Sequence, residues 1–155
     1  MDRFREMRRK DRELSENEAL EILEKDMWGT LCLNGDGGYP QGFPVNYVVT
    51  GDRVMIHHTC DGGLMSDLIS RDDRACLTVV ERMEGVRSKS AMAFGHIVRD
   101  DSLREETLGR IVDKYVPEPG RSDAKAGIPR AVGSMVALRL DIEHITGKYV
   151  DKPGR

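Results

Sequence analysis

GYPQGFPVNYVVTGDRVMIHHTCDGGLMSDL, residues 38–68, holds two runs rich in β-branched and aromatic side chains around a short turn at Gly51 and Asp52. That pattern predicts a β-hairpin. Its first run places Gln41, Phe43, Val45 and Tyr47 on one face and Pro40, Gly42, Pro44 and Asn46 on the other. Two prolines cannot donate to a ladder, so this run is expected at a sheet edge. The second run ends in His57 and His58 and passes through Gly62-Gly63 into an apolar-periodic segment, expected to be a helix near 63–70. Unpaired N–H groups and the dipole at such a helix start favour an anion. No Lys or Arg lies between His57 and Arg71 to help hold one.

Outward from the hairpin, Ser15 and Glu18 form a capping-box pattern ahead of Leu20, Leu23 and Met27, which predicts a helix over 16–26. Strands are expected at TLCL (30–33), the hairpin runs, 74–82, 90–98 and 133–143. A longer helix is expected near 102–115, with Ser102 and Glu105 as its capping box. Residues 117–131 hold three prolines and read as a long loop. Six strands, about three helices and mostly short turns indicate an antiparallel barrel or sandwich of the α+β, mainly β, class. Residues 1–14 form a mixed-charge arm expected to pack Phe4 and Met7 on the body or on a partner subunit; 15–150 form the barrel domain.

The chain has 155 residues and a formal net charge of −3, with a third of its residues charged. Nearly cancelling signs argue against nucleic acid or an anionic membrane as partner. No apolar run approaches the ~20 residues of a membrane span. Cys32, Cys60 and Cys76 show no CxxC pair and read as reduced thiols of a cytoplasmic protein. Cys32 and Cys76 fall in apolar strand patterns and read as inert core residues, leaving Cys60 as the reachable thiol. His57 and His58 point to opposite faces of one strand; His58, Cys60 and His96 lack a fourth partner for a zinc site, so no metal is expected. Signatures for a nucleophile elbow, a Rossmann turn and a P-loop are absent. A flat ring system lying along FPVNY (43–47) needs none of these, because an irregular edge leaves main-chain groups free.

FREMRRKDREL (4–14), SENEALEILEK (15–25), WGTLCL (28–33), GYPQGFPVNY (38–47), IHHTC (56–60), SAMAFGHI (90–97) and ITGK (145–148) together resemble the nitroimidazole-resistance proteins, members of the pyridoxamine 5′-phosphate oxidase-like, FMN-binding split barrels. The resemblance implies a six-stranded split barrel forming a homodimer with FMN at the subunit interface. It implies that Phe43, Pro44, Val45, Asn46 and Tyr47 line the isoalloxazine. His58, Thr59, Cys60, Gly63 and the position of Met65 would approach the phosphate, with Ser90 nearby. The family pattern carries a lysine two residues after the glycine, where this chain has Met65. Loss of that cation corresponds to about 1.5–3 kcal/mol, which a Met65→Lys change is expected to restore. The implied activity is flavin-dependent reduction of a small aromatic or nitro-substituted compound. Other readings are a deazaflavin-dependent reductase, a haem protein using His58 or His96, or a binding protein that has lost flavin chemistry.

Overall fold

The computed structural model describes residues 3–58 and 62–151. After a 3₁₀ turn at Lys10–Arg12, the strands are β1 (Glu13–Leu14), β2 (Gly29–Asn34), β3 (Pro40–Val45), β4 (Tyr47–Thr50), β5 (Arg53–His58), β6 (Arg74–Arg82), β7 (Ser88–Arg99) and β8 (Val136–Val150). The helices are α1 (Glu16–Lys25), α2 (Leu64–Arg71), α3 (Arg104–Tyr115), α4 (Arg121–Ala126) and α5 (Ile128–Ala131). All strands pair antiparallel in the order β3-β2-β6-β7-β8-β5-β4, with β1 added to β8. Seven strands therefore make the main sheet where six were expected.

β3 and β4 lie at the two ends of that order, yet only Asn46 separates them in sequence. One residue spans only about 3.3–3.6 Å. The sheet must therefore curl until its ends meet, giving a half-barrel that is split between β3 and β4. The proline-bearing run is an edge strand, as its sequence predicts.

Inside, Leu31, Val45, Tyr47, Val54, Ile56, Leu77, Ala93, Ile97, Leu138 and Leu140 form the core with Ala19 and Leu23 of α1 and Leu68 of α2. The capping box at Ser15 and Glu18 is formed on both arms, fixing where α1 starts. Outside, α3 covers β4 and β5, where Thr107 Oγ1 meets the buried Met55. β7 and β8 change register between Phe94 and Gly95. A Cβ on Gly95 would lie 1.8 Å from the Asp141 carbonyl oxygen, so the irregularity admits only glycine there.

The structure corrects three local expectations. Ser102 does not cap α3; its hydroxyl donates to Asp100 at 2.5 Å, and the helix begins at Arg104 after a 3₁₀ turn. Residues 117–131 contain α4 and α5, tied back by Lys125 to Asp113 at 2.6 Å. Cys32 and Cys76 are half-buried on the outer face of the sheet, not in the core. The arm does dock: the Phe4 ring stacks on His144 with centroids 4.4 Å apart and tilts against Phe94, while Arg3 pairs with Glu143 at 3.2 Å.

Candidate functional site

At the split, edge strand β3 offers its outward main-chain groups, and its burial alternates as the sequence predicts. Phe43 is half-buried, Val45 and Tyr47 are buried, and Pro40, Gly42 and Pro44 are exposed. Asn46 is half-buried at the junction. Tyr47 begins β4 with its side chain fully enclosed and its hydroxyl donating to the Leu23 carbonyl at 2.7 Å. Desolvation holds that phenol neutral, well above the ordinary tyrosine range.

The end of α3 holds the junction from outside. The Tyr115 hydroxyl accepts the Tyr47 N–H at 3.0 Å and lies within donating distance of the Met27 and Tyr47 carbonyls, at 2.7 and 3.0 Å. Lys114 Nζ donates to the Tyr47 carbonyl at 3.1 Å and sits 4.1 Å from the centre of its ring. Partial burial lowers the Lys114 ammonium to about 8. Asp26 beside it is raised by burial, and its Oδ2 has no partner among the described residues. Sequence reading missed this clamp, because Tyr115 and Tyr47 are 68 positions apart.

The second part of the site lies at the end of β5. Alternation places His58 on the inner face with Val54 and Ile56, opposite Val136 of β8. His57 shares the face of Met55, the one that α3 covers. It is half-buried with Nδ1 enclosed and without a partner among the described residues, so it is not the free outward residue its position suggests. Burial first, and the neighbouring His58 second, lower its pKa from the ordinary histidine value. Thr59 and Cys60 lie outside the described residues.

α2 then starts after Gly62 and Gly63, with φ of +95° and +84°. These are left-handed values that glycine adopts without strain. Among the described residues no side chain caps the helix; its first internal bond is Asp67 N–H to the Gly63 carbonyl at 3.1 Å. The N–H groups of the first turn before Asp67 have no intrahelical acceptor. Met65 is 8% exposed and packs in the core, whereas Leu64 is 44% exposed at the helix start. Of the two, residue 64 is the one that stands exposed at the helix start. Ser90 lies on the outer face of β7, half-buried and opposite Lys148, which separates it from His58 on the inner face.

The family model described as pyridoxamine 5′-phosphate oxidase matches residues 15–149. The chain belongs to that family. Among solved structures, it is similar to a protein of Bacteroides thetaiotaomicron VPI-5482 described as a candidate 5-nitroimidazole antibiotic resistance protein. That pair shares 18% identity over 88% of this chain and 86% of the other, with a TM-score of 0.73. An FAD-binding protein from Mesorhizobium loti shares 20% identity over 90% and 98% of the two chains, with a TM-score of 0.67. The FAD and haem binding protein from Mycobacterium smegmatis shares 21% over 91% and 74%, with a TM-score of 0.72. At these identities the likeness establishes the fold. No curated protein sequence matches the chain.

Proposed function

We propose that this protein binds FMN at the split between β3 and β4 and acts as a flavin-dependent reductase of small aromatic or nitro-substituted compounds. The observation that carries the reading is the open edge of β3, which meets the Asn46 junction in a member of this oxidase family. A flavin ring is planar with donors and acceptors along one rim, and an unpaired strand edge offers both. Phe43, Pro44, Val45, Asn46 and Tyr47 would hold the ring, and the start of α2 at Gly63 would hold the phosphate. Met65, turned into the core, would support that helix start from behind. Bound flavin would supply hydride or electron transfer. The chain's own part is to fix the edge, which the Tyr115 and Lys114 bonds to Tyr47 do, and to exclude water from one side of the ring.

We further propose a homodimer that covers the edge at Pro40–Val45. Trp28 and Tyr39, 63% and 78% exposed, directly precede β2 and β3 and supply the apolar anchors. Sedimentation equilibrium at micromolar concentration is expected to give twice the chain mass; a mass of 17.4 kDa would refute the dimer. For the cofactor, the purified protein is expected to show two flavin bands and to quench FMN fluorescence on titration, with FAD as comparison. Failure to bind either flavin would overturn the reading, and a Soret band would replace it with haem binding.

A further inference from the structure

β2 and β6 pair antiparallel with Cys32 directly opposite Cys76. Directly opposed residues of such a pair project from one face, with Cα atoms about 4.5 or 5.5 Å apart depending on the hydrogen-bonding position. Both values fall inside the roughly 4.4–6.8 Å that a disulfide spans between Cα atoms. The register alone therefore meets the distance requirement, and both residues are half-buried free thiols. Their surroundings leave one side open. Beyond Cys32 in the same row stands Gly42 of β3, which contributes no side chain. Beyond Cys76 stands Phe94 of β7, backed by Phe4. A disulfide reagent thus has an approach to the pair from the outer face, over the exposed Gly42, while the proposed dimer and flavin cover the main-chain edge of β3.

We propose that Cys32 and Cys76 form a two-electron redox pair on the outer face, closing to a cross-strand disulfide by reducing a low-molecular-weight disulfide such as oxidised glutathione. Cys32 Sγ attacks one glutathione sulfur, forming a mixed disulfide and releasing one glutathione. Cys76 Sγ then displaces the second glutathione and forms the protein disulfide. Two thiol protons and two electrons leave the protein, and two reduced glutathione molecules result. Burial first, and the neighbouring Cys32 second, push the Cys76 thiol up to about 12. Cys32 borders the open Gly42 side, so the first attack falls to it, and the second, which needs the Cys76 thiolate, is slow at neutral pH. The bond would tie β2, and edge strand β3 with it, to the middle of the sheet. This chemistry does not depend on flavin binding.

The test uses full-length protein with Cys60→Ser, so that only these two thiols remain. After incubation with oxidised glutathione and trapping with N-ethylmaleimide, trypsin releases residues 26–53 and 75–82 as the cysteine-bearing fragments. The expected result is one linked pair of these fragments, separated by dithiothreitol. A mixture with isotope-labelled protein should show links only within chains. Adding Cys32→Ser or Cys76→Ser should abolish the link, and thermal melts verify that these variants fold. Two separately alkylated or glutathionylated cysteines in the Cys60→Ser protein, or links only between chains, would overturn the proposal.

Discussion

Replacing Tyr115 by Phe removes one oxygen that joins three segments while keeping the ring. The oxygen accepts the N–H of Tyr47 and has one proton to give, directed at the Met27 carbonyl by the shorter 2.7 Å distance. Tyr47 is fully buried, so water cannot replace the lost acceptor. Stranding that N–H costs about 1–3 kcal/mol, and losing the bond to Met27, which solvent can partly replace, adds about 0.5–1 kcal/mol. A central figure of about 2–3 kcal/mol lowers the thermal midpoint by about 4–12 °C for a chain of this size. Differential scanning calorimetry measures it. Because the freed N–H belongs to the junction proposed to hold the flavin ring, FMN affinity measured below the transition should fall as well. A midpoint within about 1 °C of wild type would mean that the hydroxyl does not hold the split, and would refute the reasoning.

Leu64→Lys should tighten FMN binding by about tenfold with a salt-sensitive increment, since residue 64 stands exposed at the helix start. Met65→Lys should instead lower the thermal midpoint without tightening, because it buries an ammonium among core side chains; fluorescence titration and melting of both variants check this. His58→Ala should weaken FMN binding about tenfold while leaving the melt nearly unchanged, and His57→Ala should lower the melt by removing a half-buried ring. The reverse pattern would exchange their roles. Lys114 binds its proton less tightly folded, at about 8, than its ordinary 10.5. The unfolded chain therefore holds more protons between those values, and stability should rise as pH climbs from 8 to 10.5. Partial exposure keeps that increment small. Urea midpoints against pH should show the rise in wild type and a flatter profile in Lys114→Met.

Where local chemistry sets the conformation, the sequence was readable. The Ser15–Glu18 box, the prolines of β3 and the two-residue turn at Gly51 and Asp52 each occur as their residues predict. Assigning faces was harder. β2 and β6 alternate leucine and valine with threonine and cysteine, so both faces read as compatible with burial, and only the pairing shows that the cysteines point outward. At α2 a difference of one residue turns a helix by about 100°, which is enough to exchange an exposed Leu64 for a core Met65. The Ser102–Glu105 spacing satisfied the capping pattern, but Asp100 captured the serine hydroxyl first. The clamp of Tyr115 on Tyr47 leaves no local signature, since it depends on α3 returning to a junction formed early in the chain.

β8 also has a consequence for how the chain is made. It is the longest strand and pairs with β7, β5 and β1. Until it emerges from the ribosome, the β4–β5 hairpin and the β3-β2-β6-β7 group share no ladder. Each half then exposes an apolar face and an unpaired edge, the condition under which nascent chains misassociate. Synthesis at about 5–20 residues per second makes the interval from β5 to β8 several seconds long. Yield in the cell should therefore depend on how long that interval lasts, and on chaperone supply, more than on the stability of the finished barrel.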